Sequence, residues 1–256
     1  MSDKGRNRTV GVIPARLGST RVPGKVLRPL AGRPMIYHVW KRVTEAKSLS
    51  DVIIACDDPS VESCAKEFGA KVVMTRQDHP NGTSRVAEVA AQIDADIVIN
   101  IQGDEPFLNA RNIDSLVGVL AAGPEISVAT LAVRKTERAE YENPNVVKVV
   151  CTESSDAIYF SRSPIPYFRD VAPADFSFLK HLGIYGYRRD FLLEFVRWNS
   201  GQLEGWEKLE QLRIIERGIP IRVVETPYDS LGLDTEEDFT NAEFAMKNEP
   251  IEHRSL

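Results

Sequence analysis

The chain has 256 residues, 43% of them hydrophobic and 27% charged, with a net charge of −5. That is long enough for one large α/β domain with a sizeable core. The acidic balance argues against a non-specific nucleic-acid binder, and no apolar run reaches the roughly 18–20 residues of a membrane span.

Met1 to Arg8 is polar and lacks the apolar centre of a signal peptide. Residues 10–13 predict a strand, and 34–47 a helix with Ile36, Val39, Trp40 and Val43 on one face. Residues 51–56 read as a strand and 59–68 as a helix stopped by Gly69. A strand at 71–74, a helix at 83–93 and a fully apolar strand at 96–101 follow, then a helix near 113–121 and a strand near 126–133. Such alternation predicts a mostly parallel central sheet with helices on both faces.

The second half is mixed. Residues 146–150 and 157–160 read as strands, 163–173 as a loop, 191–198 and 203–217 as helices, 219–225 as a strand and 235–247 as a closing helix. A single domain is expected, with residues 9–133 as one half, 134–247 as another that extends the sheet or builds a lid or dimer surface, and 249–256 as a frayed tail. Cys56, Cys64 and Cys151 are widely spaced without a C-x-x-C, so reduced thiols and a cytoplasmic location are expected. The four histidines show no zinc-ligand spacing.

Chemistry concentrates at a few places. Behind the first strand, Arg16-Leu17-Gly18-Ser19-Thr20-Arg21-Val22-Pro23-Gly24-Lys25 combines glycines with three cations, at the end of such a sheet where ligands bind. Arg16, Arg21 and Lys25 suit a phosphorylated ligand. Val26 after Lys25 breaks the Walker order, and there is no G-x-G-x-x-G. Asn100-Ile101-Gln102-Gly103-Asp104-Glu105-Pro106 ends the most apolar strand. Read alone, Asp104 serves equally as a metal ligand or as a cap for a turn. Asp234 or Thr235 suits the cap of the last helix, which would also explain the acids at 236–238. Asn81-Gly82-Thr83-Ser84-Arg85 opens a helix and reads as an N-cap or an anion site. Polar groups interrupt the apolar stretches Phe160-Ser161-Arg162 and 180–187, where His181 and Tyr185 read as hydrogen-bonded structural residues. Glu210 and Gln211 read as the flank of a helix that buries Leu209, Leu212 and Ile215.

Taken in order, IPARLGSTRVPGK, NGTSR, INIQGDEP, YFSRSPIP, KHLGIYGY, EKLEQLR and LDTEED resemble the CMP-Kdo synthetase (3-deoxy-manno-octulosonate cytidylyltransferase) family over nearly the whole chain. The first motif marks the wider sugar-nucleotidyltransferases, whereas HLGIYGY with EQLR marks the Kdo branch. The resemblance implies a Rossmann-like nucleotide-diphospho-sugar transferase fold, CTP and Kdo as substrates for lipopolysaccharide biosynthesis, Mg²⁺ as cofactor and a homodimer. It implies catalytic roles for Lys25, Asp104 and Asp234, with Asp104 and Asp234 holding the metal. It places Arg16, Ser19, Lys25, Gly82, Thr83, Arg85 and Gln102 on CTP, and Arg21, Arg162, His181, Tyr185, Glu210 and Gln211 on the sugar acid. Asn81 and Ser84 depart from the family's usual Ser and acidic residue. Alternatives are a cytidylyltransferase for 8-amino-Kdo or a nonulosonate, and a metal-dependent glycosyltransferase using QGDEP.

Overall fold

The structure, a computed structural model, describes residues 7–18, 22–170, 173 and 175–248. The first half alternates as its periodicity predicts. β1 (Thr9–Ala15) leads through a 3₁₀ turn at Lys25–Leu27 into a small hairpin, β2 (Pro29–Leu30) and β3 (Arg33–Pro34). Then come α1 (Met35–Val43), β4 (Asp51–Cys56), α2 (Pro59–Glu67), β5 (Lys71–Met74) and α3 (Gly82–Gln92). β6 (Ile97–Asn100), α4 (Ala110–Ala122) and β7 (Val128–Lys135) complete the half. Side chains fix the helix starts. Asp58 accepts from Ser60 N at 2.8 Å with Pro59 in the first turn, and Asn109 accepts from Arg111 N at 3.0 Å.

The second half holds α5 (Arg138–Glu142), β8 (Lys148–Cys151), β9 (Ala157–Ser161), β10 (Phe178–Arg188), α6 (Arg189–Phe195), α7 (Gln202–Glu207), α8 (Leu212–Ile215), β11 (Arg222–Glu225) and α9 (Glu236–Asn248). The central sheet runs β11–β7–β10–β6–β1–β4–β5, with β8 and β9 joined through β10. β1 pairs in parallel with β4 and β6, β4 with β5, and β7 with β11. β10 lies antiparallel between β6 and β7. Successive strand residues feed opposite faces. Val10, Val12, Ile53, Ala55 and Val98 pack on α3, α6 and α8, while Ile13, Ala15, Ile54, Ile97 and Ile99 pack on α1, α2, α4 and α9. Helices therefore cover both faces, and β6 is buried throughout because neither side meets water.

Three local expectations are corrected. The interrupted stretch at 180–187 is the core of the 11-residue β10, whose Lys180 finds an ionic partner in Asp229 at 3.0 Å. The predicted helix at 203–217 is two helices, because Lys208 takes a left-handed conformation (φ 55°) at the end of α7. Glu207 pins that end: its carboxylate accepts from Ser161 Oγ at 2.6 Å and Arg162 N at 2.9 Å. Ile214 is buried where Ile215 was expected to be, since the second helix starts afresh at Leu212.

Candidate active site

The carboxyl ends of β1 and β6 and the segment between β5 and α3 open on a polar cavity of about 330 Å³. Arg16 and Lys25 enter it from the loop after β1, Gln102, Gly103 and Asp104 from the loop after β6, Asn81, Gly82 and Arg85 from the start of α3, and Asp234 from the segment before α9. At its floor, Lys25 Nζ donates to Asp104 Oδ2 at 2.6 Å and to Asp234 Oδ1 at 3.0 Å. Burial pushes the Lys25 ammonium down, but the Asp104 and Asp234 carboxylates outweigh it and hold its pKa above the usual lysine value. The backbone helps, since Leu233 N donates to the Asp104 carbonyl at 3.0 Å.

Asp234 is not the cap of α9. Thr235 Oγ1 accepts from Asp238 N at 3.1 Å and Asp238 Oδ2 accepts from Thr235 N at 2.7 Å, a reciprocal capping box. The Asp234 carboxylate is thereby left to face Lys25. Gly103 shows why glycine is needed at that bend: a Cβ there would lie 2.6 Å from the Pro14 carbonyl oxygen.

The expected nucleotide residues are largely brought together. Arg16, Lys25, Gly82, Arg85 and Gln102 line the cavity, Thr83 turns from it to Glu210, and Ser19, like Arg21 of the sugar set, lies outside the described residues. Arg85 is buried and heavily engaged. It donates to Asp57 Oδ2 at 2.6 Å, to the Arg76 carbonyl at 3.2 Å and to Thr75 Oγ1. Asp57 also accepts from Leu17 N at 3.4 Å, so it joins Arg85 to the loop after β1. Sequence reading passed over Asp57, although an acid directly behind the second strand was a usable signal. It also passed over His79, which lines the cavity and hydrogen-bonds Glu88.

The expected sugar residues sit beyond the cavity wall. Glu210, read as a solvated helix flank, is instead drawn inward at the turn between α7 and α8. It accepts from Asn81 Nδ2 at 2.9 Å, Thr83 Oγ1 at 2.6 Å and an Arg213 guanidinium nitrogen at 2.9 Å. Burial raises its pKa above the usual glutamate value, against the opposing pull of Thr83, Arg213 and Asn81. His181 packs edge-on against Phe160 at 4.9 Å, with Nε2 3.0 Å from Thr130 Oγ1. Burial pushes its pKa down to about 3. Tyr185, 5.5 Å from the His181 ring, is registered opposite Asn100. Tyr185 Oη, Asn100 Oδ1 and Gln211 Nε2 are buried without a hydrogen-bond partner. Arg162 Nε donates to the Glu207 carbonyl at 2.8 Å and Nη1 to the Pro144 carbonyl at 3.1 Å. Behind it, the fully buried Lys148 donates to the carbonyls of Asn143, Val146 and Arg162 at 3.0, 2.7 and 2.5 Å.

Three hydrogen bonds among the described residues join the sets, and Thr83 Oγ1 to Glu210 is the first. The second is Asn81 to Glu210, and the third runs from Gln102 Nε2 to the Gly183 carbonyl at 3.1 Å, where β10 bulges between Leu182 and Tyr185. Among the described residues, no group of three or more His, Cys, Asp or Glu could hold a metal ion, and no helix is long and apolar enough to cross a membrane.

A mostly parallel sheet with a cationic loop and two converging carboxylates at its ligand edge is the architecture of a nucleotidyltransferase. A solved structure of CMP:2-keto-3-deoxy-manno-octonic acid synthetase complexed with CTP superposes with a TM-score of 0.89 at 43% identity, covering 94% of this chain and 98% of that one. The 3-deoxy-manno-octulosonate cytidylyltransferase of Solibacter usitatus is 52% identical over 90% of each chain. That of Geobacter metallireducens is 48% identical over 89% of this chain and 93% of its own. A 4-diphosphocytidyl-2C-methyl-D-erythritol synthase from Anaerococcus prevotii shares the fold at 11% identity, with a TM-score of 0.63 over 96% of this chain and 98% of its own. Residues 10–223 match the family model described as cytidylyltransferase, and the chain belongs to that family, on the branch of the 3-deoxy-manno-octulosonate cytidylyltransferases.

Proposed function

We propose that this chain joins CTP to 3-deoxy-D-manno-octulosonate, giving CMP-Kdo and pyrophosphate, an activation that serves lipopolysaccharide synthesis. The observation that carries the reading is the convergence of Lys25, Asp104 and Asp234 in one cavity at the ligand edge of the sheet. The anomeric hydroxyl of the sugar acid attacks the α-phosphorus in line, and pyrophosphate leaves. The sugar carries a carboxylate and CTP a polyanion, so their repulsion must be offset before they meet. Arg16 and Lys25 take the triphosphate, a role that the motif also gives to Ser19. Gly82, Thr83, Arg85 and Gln102 shape the nucleotide wall. Arg21, Arg162, His181, Tyr185, Glu210 and Gln211 hold the sugar acid. The unpartnered Tyr185 Oη and Gln211 Nε2 support that reading, because unpaired buried polar atoms are costly and a hydroxyl-rich ligand or water would satisfy them.

Asp104 and Asp234 fit Mg²⁺, which takes one or two carboxylates and completes its octahedron with phosphate and water oxygens. Bound there, the ion would supply charge neutralisation and favour the deprotonated attacking hydroxyl. Everything else is positioning and electrostatic stabilisation by the chain's own groups. Residues 9–133 form mainly the nucleotide half and 134–247 mainly the sugar half of one domain. The second half also carries exposed Ile158, Tyr167 and Trp206 and the strand β9, which among the described residues pairs only with β8, features that suit a homodimer contact.

The test is pyrophosphate release from CTP, UTP, ATP and GTP, each with Kdo, 8-amino-Kdo and a nonulosonate. CTP with Kdo should be strongly preferred. Equal rates with CTP and UTP would overturn the nucleotide assignment, and a preference for another acid would overturn the sugar assignment.

A further inference from the structure

Among the described residues, Asn81 is the one side chain that both lines the nucleotide cavity and bonds Glu210. Its orientation is fixed by chemistry. Ser84 N can only donate, so the Asn81 atom 2.8 Å from it must be Oδ1. Ser84 Oγ adds a second hydrogen bond to the same oxygen at 2.8 Å. Nδ2 is therefore turned to Glu210 Oε1 at 2.9 Å, while Thr83 Oγ1 takes Oε2 at 2.6 Å. Both oxygens of Glu210 are thus tied to the first turn of α3, and the amide that ties one of them also caps the helix. Asn81 and Ser84, the two departures noted in the sequence, act as a pair: the hydroxyl of Ser84 helps to hold the amide that an ordinary Ser-x-x-Glu box would not contain.

The first turn of α3 is wall to the nucleotide cavity through Asn81, Gly82 and Arg85. A ligand that repositions or stiffens this turn acts on Glu210 through two short hydrogen bonds, and a ligand on Glu210 acts back on the turn. We propose that Asn81 is a positioning residue that couples the two substrate sites, so that nucleotide binding orders Glu210 for the sugar acid. The proposal rests on the assignment of Glu210 to the sugar. Coupling of this kind is reciprocal and typically amounts to about 5–150-fold in affinity.

The experiment is calorimetric titration of the sugar acid, with and without a non-hydrolysable CTP analogue, on the wild type, Asn81→Asp and Glu210→Gln. Asn81→Asp keeps the helix cap, since Asp caps about as well as Asn, but sets a carboxylate against Glu210. In the wild type the analogue should tighten sugar binding about five-fold or more. In Asn81→Asp that factor should fall close to one, whatever the change in the analogue's own affinity, because the factor is a ratio of sugar affinities with and without it. The reverse titration must give the same factors. Adding Glu210→Gln to Asn81→Asp restores a donor facing an acceptor and should recover part of the coupling. A wild-type factor of one, or an Asn81→Asp factor equal to the wild type's, overturns the coupling. Sugar affinity unchanged by Glu210→Gln would instead overturn the sugar assignment of Glu210. Circular dichroism and melting of each variant establish that α3 and the fold are intact.

Discussion

Leu233 N donates to the carbonyl of Asp104 at 3.0 Å, and this backbone bond brings together two loops far apart in the sequence. One residue along from Leu233 is Asp234, whose carboxylate shares Lys25 with that of Asp104. The spacing of the two acids is therefore set by main chain and does not depend on Lys25 alone. A preorganised pair of this kind needs little rearrangement to receive a cation and a phosphate.

Asp104→Asn and Asp234→Asn should each lower kcat about a hundred-fold or more, as losses of transition-state charge stabilisation do. Each leaves Lys25 with one carboxylate, so the melting temperature should move little. Thr235→Ala is the contrast. It breaks the cap of α9 and should cost about 1 kcal/mol of stability with a much smaller effect on kcat. Chemical denaturation with steady-state kinetics separates the three. A larger stability loss from Asp234→Ala than from Thr235→Ala would return the cap to Asp234, since Asn at 234 would cap about as well as Asp.

Gly103→Ala should damage both fold and turnover. The added Cβ would meet the Pro14 carbonyl oxygen at 2.6 Å, which belongs to backbone and cannot swing aside. We expect a loss of about 1–3 kcal/mol, the range for overpacking a close contact. Urea unfolding checks this, and unaltered stability would mean that the loop after β6 yields more easily than its geometry indicates.

Lys148→Met removes a fully buried ammonium that donates to three carbonyls, one of which belongs to Arg162. Unsatisfied buried groups cost about 1–3 kcal/mol each, partly relieved by relaxation. Stability should fall by about 2–4 kcal/mol. The KM for the sugar acid should rise while that for CTP stays within about two-fold, because Arg162 belongs to the sugar half. Equal effects on both KM values would remove Arg162 from that half.

His181 gives a pH test. Its folded-state value of about 3 lies below the ordinary imidazole value near 6.5, so the unfolded chain takes up the proton first as pH falls. Its stabilising packing is fully present above about pH 6.5 and is lost as pH drops from there toward 3, by up to about 1.4 kcal/mol per pH unit. The wild type's stability advantage over His181→Gln at pH 7 should shrink by about 1–2 kcal/mol at pH 5. An advantage that does not change with pH would contradict a neutral His181. Such a low value also makes His181 a poor general base, so kcat should show no inflection near 6 that His181→Gln abolishes.

The parts of this fold legible in the sequence are those where one local pattern decides. β4 and β5 follow from short apolar runs bounded by turns, and α2 from Asp58-Pro59 before it and Gly69 after it. β10 was obscured because Lys180 and His181 look like breaks until Asp229 and Thr130 arrive from distant segments. The split at Lys208 likewise depends on Glu207 meeting Ser161 and Arg162, contacts that no window of helical propensity contains. Lys25 and Asp104 stood out by chemistry and position, whereas Asp234 read alone as a helix cap and drew its other role from the family resemblance. The burial of Glu210 was not announced, because its partners Asn81 and Thr83 lie more than a hundred positions away.

Lys25 and Asp234 are separated by 209 positions, and Arg28 reaches forward to Glu236 and stacks over Phe239 at 4.2 Å. During synthesis at roughly 5–20 residues per second, some 10–40 s pass between the emergence of the lysine and that of its second acid. Through that interval the sheet around β1 can form while the catalytic floor stays incomplete. With the roles proposed for Lys25 and Asp234, a chain that ended before the last helix would carry the loop after β1 without its second acid, so turnover would await the last part of the sequence to emerge.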